Sequence, residues 1–287
     1  MLKYICYNWF GTIADHALDF SVQEYERWGV TKLHNKTLDP TKVRAGDRIF
    51  VKTDFIYNGK FQESFLPHIA EPFVLITGNS SYQVSKGASI DNIVNSPYLL
   101  KWYCTNAPYT SDKIVPLPIG FEEPDREGGK PEVLYSIRAS RTPFISKKDK
   151  ILLPYHTLHT NPARRLFQKI NSLPFVETQE EKLSFEDYLC KVDEYKFVIC
   201  LEGSGPDVHR NYEALLVDTV PINIKNSIED LFLYYGLPGE FLSSWSDLTE
   251  EYYENMMKES YDVFGNETFL KIEHHANRIK QGYINEN

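Results

Sequence analysis

Apolar and polar positions along the chain follow two alternating periods, and the alternation predicts an α/β fold. Short runs rich in β-branched and aromatic residues read as strands: "LKYICYN" (2–8), "RIFVKT" (48–53), "FVLITG" (73–78), "LLKWYCTN" (99–106) and "KIVPLPIG" (113–120). Between the first two lies "DHALDFSVQEYERWG" (15–29), spaced as an amphipathic helix. After residue 149 the rhythm resumes. Strand-like "KILLPY" (150–155) precedes helix-like "NPARRLFQKINSL" (161–173) and "SFEDYLCKVDEY" (184–195). Strand "KFVICL" (196–201), helix "DVHRNYEALLVD" (207–218), strand "TVPINI" (219–224), helix "SIEDLFLYYG" (227–236) and short extended "EFLSSW" (240–245) follow. Two helical stretches, 247–265 and 267–283, come last. Strands alternating with helices favour mostly parallel sheets.

Residues 121–149 break the rhythm, because charge, glycine and proline concentrate there around a short helix near 131–138. The expected organisation is a Rossmann-like domain over 1–125, a linker over 126–149 and a second Rossmann-like domain over 150–265. A C-terminal helix in 266–287 is expected to pack back on the first domain. Ligands of such sheets sit outside the carboxyl ends of the strands. Two domains facing across a cleft would therefore hold their ligand in it.

Composition narrows the partners. The net charge of −9, from 31 Lys and Arg against 40 Asp and Glu, argues against a nucleic-acid partner. None of the four cysteines forms a C-x-x-C pair, and three sit in apolar surroundings, which reads as a reduced, intracellular chain. No apolar stretch reaches ~18 residues, so no membrane span is expected. The opening "MLKYICYNWFGTIAD" lacks the core of a signal peptide. The many aromatics read first as strand formers and second as sugar-stacking surfaces.

The stretch "FVICLEGSGPDVHRNYEALLVDTVPINI" (197–224) carries the strongest chemical signal. A strand feeds a loop with Gly203, Ser204 and Gly205, where glycines permit unusual backbone conformations and close approach. The helix that follows offers N–H groups and a positive dipole end. Arg210 in its first turn opposes that dipole, a poor choice for stability alone but suited to a phosphate oxygen. Glu213 lies three residues after Arg210 and four after His209, on one face. Its carboxylate can accept both hydroxyls of a ribose, while His209 stays open between phosphate contact and packing. The competing reading makes Asp207 an N-cap and Arg210–Glu213 a surface pair. A second cluster, "LLPYHTLHTNPARR" (152–165), places Asn161 as N-cap, Pro162 at the first helical position, and Arg164 and Arg165 in the first turn, with His156 and His159 beside them as donor-site or structural residues. Two helix starts carrying arginines suit a diphosphate held between loops.

Here the residues carry a resemblance. The segment from Phe197 to Ile222 resembles the signature of exostosin-like glycosyltransferases: a strand, a glycine-containing loop, Asp-x-His-Arg, x-x-Glu-Ala-Leu, then a Val-Pro-Ile strand. "PFVLITGNSS" (72–81) and "LKWYCTNAPYTSDKIVPLPIGFE" (100–122) are similar to segments of related enzymes with a TGNSD-like turn and a W-x-x-x-N…PIG run. The resemblance implies a GT-B fold, two facing Rossmann-like domains, with a nucleotide-sugar donor (usually a UDP-sugar) and inversion at the anomeric carbon. The chain departs from that pattern at Ser81, where an acid is common, and at Asp218-Thr219, where a small Gly-Cys-like pair is usual. It also lacks the N-terminal anchor of the Golgi members. It reads as a soluble cytoplasmic enzyme of viral or microbial kind, or as an excised catalytic region.

Loss of UDP leaves charge on the diphosphate, which a metal or fixed positive groups must stabilise. The sequence has no D-x-D pair but has Arg164, Arg165 and Arg210. The reaction is therefore expected to need no metal and no cofactor beyond the donor itself. Inversion needs one base, expected from the N-terminal domain. Asp54, after "RIFVKT", is the first candidate; Asp15 and His16, read as following the first strand and the Gly11-Thr12 loop, are the alternatives, and caps or turn residues are the competing roles. Asn79, Ser80 and Ser81 are the expected acceptor contacts, against a hairpin or cap role. Trp102 reads as core, Asn106 as a groove residue, and His274-His275 as a solvated helix face without a third metal ligand. Three functions compete. The leading one moves a pentose or hexose, with xylose as the named candidate, from a UDP-sugar to a glycan hydroxyl. The second is a non-catalytic nucleotide-sugar or glycan-binding protein of the same fold. The third, a nicotinamide-dependent reductase, lacks the third glycine of G-x-G-x-x-G.

Overall fold

The computed structural model describes residues 4–84, 88–156, 170–263 and 266–281. In chain order its elements begin with α1 (Phe10–Ile13), β1 (His16–Leu18), α2 (Val22–Trp28), β2 (Asp47–Lys52), α3 (Thr53–Tyr57), α4 (Lys60–Ser64), β3 (Phe73–Gly78), α5 (Ala88–Val94), β4 (Leu99–Thr105) and β5 (Ile114–Leu117). There follow α6 (Pro131–Ser140), β6 (Lys148–Leu153), β7 (Val176–Thr178), α7 (Phe185–Asp193), β8 (Tyr195–Ile199), α8 (His209–Leu216) and β9 (Val220–Ile224). The last are α9 (Ser227–Tyr235), β10 (Glu240–Leu242), α10 (Glu250–Lys258), α11 (Asn266–Phe269) and α12 (Ile272–Gln281). The protein is α/β, with two parallel five-stranded sheets among the described residues. No helix among those residues is long and apolar enough to cross a membrane.

The chain divides into two units. The N-terminal unit joins Ile5–Ile119 to α12, and the C-terminal unit joins Tyr4 to Gly120–Lys271. In the N-terminal unit the strands stand in sequence order, β1-β2-β3-β4-β5. Ile49, Leu75, Trp102 and Ile114 face one another across successive strands. Parallel crossovers are almost always right-handed, so consecutive strands send their connections to one side. Phe55 and Ile56 of α3, Phe61 of α4, and Ile90 and Ile93 of α5 accordingly share a core with Ile49, Val51, Leu75 and Trp102. The opposite face, with Phe50, Val74, Ile76 and Tyr103, is buried as well. Its cover comes from α1 and α12. Gly11 of α1 lies so close to His34 that a β-carbon would come 2.3 Å from its Cδ2, and the His34 ring meets Phe50 at 5.8 Å. The Tyr103 hydroxyl donates to the Arg278 carbonyl of α12 at 3.1 Å. On α12, Ile272, His275, Ala276 and Ile279 are buried, one face of a helix.

The C-terminal sheet has the order β10-β9-β8-β6-β7. The sheet's second strand lies outside its first, and the third, fourth and fifth run the other way. The order reverses between β6 and β8. At such a switch point neighbouring connections leave on opposite faces, and a crevice opens outside the carboxyl ends of the two strands.

Residues 126–149, expected as a linker, are an integral part of the C-terminal unit. Three of their charges are tied to acids of the C-terminal unit that are largely withdrawn from solvent. Arg138 Nη1 donates to Asp218 Oδ1 at 2.5 Å and to the Leu216 carbonyl at 2.7 Å. Arg141 Nε donates to the other Asp218 oxygen at 2.5 Å, and Lys147 Nζ reaches Asp193 Oδ1 at 2.6 Å. Asp218 itself has φ 55°, a conformation for which glycine is the usual choice and which Asp tolerates.

Among the described residues of the expected strand over 2–8, from Tyr4 onward, no strand forms. Tyr4 makes one isolated bridge with Lys271, Tyr7–Trp9 forms a single 3-10 turn, and the sheet begins only at β1. The helix expected over 15–29 starts at Val22, behind a capping box in which Ser21 and Glu24 exchange hydrogen bonds. The expected helix over 267–283 is two helices, α11 and α12.

Candidate functional site

The site at the switch point is built by the loop after β8. Val208 is the N-cap of α8, with extended backbone (φ −133°, ψ 146°) and no side-chain cap. The start of α8 thus keeps the anion-attracting character of an uncapped helix end. Asp207, the N-cap of the competing reading, faces the helix instead. It accepts from the Tyr212 hydroxyl and, at 3.4 Å, from Asn211 Nδ2. Gly203 and Gly205 are half-buried, and neither is among the glycines with positive φ, so the conformational demand expected of them is absent. Ser204 between them is exposed. Asn226, which caps α9, ties its Nδ2 to Glu202 Oε1 at 2.5 Å and links this loop to the end of β9.

Arg210 and Glu213 do not form a surface pair. A third residue, Tyr188 of α7, joins them. Its hydroxyl donates to Glu213 Oε2 at 3.0 Å and accepts from Arg210 Nε at 3.0 Å. The guanidinium carbon also lies 5.4 Å from the centre of the Tyr188 ring, a cation–π contact. Arg210 Nη1 donates to His156 Nε2, and Nη2 reaches the Tyr155 carbonyl at 3.4 Å. His156 Nδ1 in turn donates to the Pro154 carbonyl, which makes Nε2 the acceptor. His156 follows β6 and Arg210 follows β8, so the contact spans the switch point.

The hydrogen-bond partners of Arg210 among the described residues are therefore all neutral. Burial works against its charge, and Tyr188 and Glu213 more than offset this, holding its affinity for the proton above the usual value. Burial also pushes the Glu213 carboxyl up, against the opposing pull of Arg210 and His209. The Tyr188 hydroxyl is driven well above its ordinary range by burial and by the Glu213 charge. His209 turns aside: its Nδ1 donates to the Gly120 carbonyl at 2.6 Å. Gly120 holds φ 72°, which a side chain would strain, and this conformation aims the carbonyl.

No protein-family model matches the chain, and no curated protein matches it. What the site can do follows from its own chemistry. A guanidinium fixed by neutral groups beside an uncapped helix start attracts an anion such as a phosphate or diphosphate. A carboxylate one turn further along, held by one oxygen, can accept from hydroxyls. His159, Asn161, Arg164 and Arg165 lie outside the described residues. Among the described residues, no three His, Cys, Asp or Glu side chains come together to hold a metal ion.

In the N-terminal unit the candidate bases separate by strand polarity. Asp15 and His16 stand at the amino end of β1, not after a strand as expected. Asp15 is locked to Arg48 by two side-chain bonds of 2.9 Å, and His16 Nε2 lies 2.9 Å from Asp47 Oδ2. Asp54 stands at the carboxyl end of β2, in the first turn of α3. Its Oδ2 lies 2.8 Å from Lys52 Nζ, whose side chain is only 9% exposed. Lys52 also donates to the Asn79 carbonyl. Asn79 (φ 57°) and Asn106 (φ 50°) are both left-handed, at the ends of the neighbouring strands β3 and β4. Asn106 Nδ2 reaches the Ser80 carbonyl at 3.5 Å.

Sequence reasoning missed a buried polar chain behind these residues. Asn79 Nδ2 donates to the Tyr25 hydroxyl, which donates to Asp19 Oδ1 at 2.6 Å, and His34 Nε2 meets Asp19 Oδ2 at 3.1 Å. The available signal was Asp19 itself, an acid set between apolar Leu18 and Phe20. Asn79 is 8% exposed and committed to this chain, so of the expected acceptor contacts Ser81 is the exposed one. Trp102 is core, its Nε1 donating to Thr77 Oγ1 at 2.9 Å. His275, expected on a solvated face, is buried, and its ring meets that of His274 edge-on at 5.0 Å.

Proposed function

We propose that the protein is an inverting, metal-independent glycosyltransferase of GT-B architecture. It moves a neutral pentose or hexose from a UDP-sugar to a hydroxyl of a glycan acceptor. The observation that carries this reading is Arg210, a cation bonded by neutral partners at the start of α8, with Glu213 held through the same Tyr188 hydroxyl. The resemblance of 197–222 to the exostosin-like signature supports it, as does the presence of two parallel five-stranded sheets in one chain.

In this reading the diphosphate lies at the start of α8 against Arg210, and the ribose hydroxyls donate to Glu213. As the acceptor oxygen bonds to the anomeric carbon, the bond from that carbon to the UDP oxygen breaks. The acceptor's proton passes to a carboxylate, and the charge left on UDP falls to Arg210. Asp54 is the proposed base, being the candidate at a strand's carboxyl end. The Lys52–Asp54 ion pair is the one observation that favours the second reading, a non-catalytic binder of nucleotide sugars or glycans.

The test is a thermal-shift panel of UDP, GDP and CMP sugars with EDTA present, on wild type and Arg210→Ala. A ligand that binds the folded state raises its stability by about 2.7 kcal/mol at a hundred times its Kd. Wild type should respond to UDP and its sugars, and Arg210→Ala should not. A wild type indifferent to UDP sinks the proposal. Binding without release of UDP, with or without acceptors, selects the non-catalytic reading.

A further inference from the structure

The N-terminal unit presents an aromatic stack that none of the roles above uses. The rings of Tyr57 and Tyr82 lie 6° from parallel with centroids 4.4 Å apart. Both are open to solvent, 60% and 48% exposed. They come from different elements. Tyr57 ends α3, and Tyr82 lies in the turn after β3. These segments leave the carboxyl ends of the adjacent strands β2 and β3, so the stack stands on the ligand-taking edge of the sheet. Each ring is held from behind. α3 turns Phe55 and Ile56 into the core and leaves Tyr57 outward. The Tyr82 N–H donates to Ser80 Oγ at 3.2 Å, closing a short turn. Exposed polar side chains flank the pair in the same segments: Asn58 beside Tyr57, and Ser81 and Gln83 on either side of Tyr82.

Isolated exposed apolar residues are ordinary, but here each ring covers one face of the other, and the stack holds its outer aromatic face rigidly toward solvent. An aromatic face with polar groups at its rim matches one kind of ligand closely. A pyranose with equatorial hydroxyls has a flat face of C–H bonds and an edge of donors and acceptors. The C–H face lies on the ring, and the edge reaches Asn58, Ser81 and Gln83. We infer that the Tyr57–Tyr82 stack is a subsite for one pyranose ring of a neutral, equatorially substituted glycan chain. This deepens the proposed function by giving the acceptor's class, and it rests on the reading of the acceptor as a glycan. The rival role is mechanical, the two rings merely pinning the turn onto α3. Leucine separates the two, since it keeps an apolar contact and loses the flat aromatic face.

The test uses the full chain as wild type, Tyr57→Leu, Tyr82→Leu, Tyr57→Phe and Tyr82→Phe. Binding of cellohexaose, xylohexaose and chitohexaose is measured by saturation-transfer NMR without donor, alongside melting temperature and the shift with UDP. At least one hexasaccharide should bind wild type and both Phe variants alike. The Leu variants should melt within a few degrees of wild type and keep their UDP response yet bind the sugar about tenfold more weakly, the scale of one aromatic contact. Equal sugar affinity in wild type and Leu variants overturns the inference, as does a wild type that binds none of the three. If UDP still binds in that case, the transferase reading stands without the subsite. If UDP has no effect but the Leu variants lose the sugar, the subsite stands and the transferase reading falls.

Discussion

Tyr188→Phe removes one oxygen atom and tests the joint on which the proposed donor site depends. Arg210 Nε loses its acceptor and Glu213 Oε2 its donor, both at 3.0 Å, while the ring beneath the guanidinium stays in place. Hydrogen bonds to charged groups are worth ~1.5–3 kcal/mol each. The two share one hydroxyl and cannot be summed, so a loss of about 2–3 kcal/mol is expected. At roughly 2–4 °C per kcal/mol for a domain of this size, the melting temperature should fall by about 4–12 °C. UDP should bind about tenfold more weakly, because Arg210 is no longer aimed and Glu213 is no longer held. Thermal unfolding combined with calorimetric titration of UDP reads both quantities. A variant that matches wild type in melting temperature and in UDP affinity would refute the view that Tyr188 positions the pair.

Glu213→Gln should show a pH-dependent gain. Burial raises the folded-state Glu213 carboxyl above its unfolded value, so its stabilising contribution is present at low pH and is lost as pH rises through the folded value. Glutamine avoids that loss. The variant should melt higher than wild type at neutral pH, and the difference should vanish below about pH 4. Its affinity for UDP should fall, and a melting difference independent of pH would contradict the assignment. Arg138→Met leaves the buried Asp218 with Arg141 alone. Urea unfolding of the C-terminal unit should show a loss of about 3 kcal/mol, the low end for breaking a buried pair. A loss below about 1 kcal/mol, the worth of an exposed pair, would return 126–149 to the status of a linker.

The parts of the fold that could be read from the sequence share a physical cause. β2, β3, β4, β8 and β9 lie inside their sheets and are apolar on both faces, so they appear as unbroken runs. β1, β7 and β10 are three-residue edge strands, too short to set a period, and of the three only β10, within "EFLSSW", reads as extended. β1 therefore reads as part of a helix in the sequence, and Asp15 and His16 read as following a strand where they open one. The linker expectation failed because composition cannot tell a solvated charge from a buried pair: Arg138, Arg141 and Lys147 look alike on paper. At the proposed donor site, Arg210 and Glu213 are legible because they are neighbours on one helix. Tyr188, 22 residues from Arg210, is not, and although His156 reads with the second cluster, no local period reports its contact with Arg210 54 residues away.

The consecutive winding of the N-terminal sheet also governs how the chain can fold as it is synthesised. All five strands of that sheet are complete by Leu117, yet α12, which takes the Tyr103 hydroxyl bond on its second face, spans Ile272–Gln281. The whole C-terminal unit is synthesised in between. During that interval part of a finished sheet waits with apolar side chains uncovered, the kind of exposure that recruits chaperones or invites association. The C-terminal unit reaches back the other way, closing on Tyr4 through its bridge to Lys271. Each unit thus borrows from the far side of the other along the chain, and no single cut point yields both of them whole.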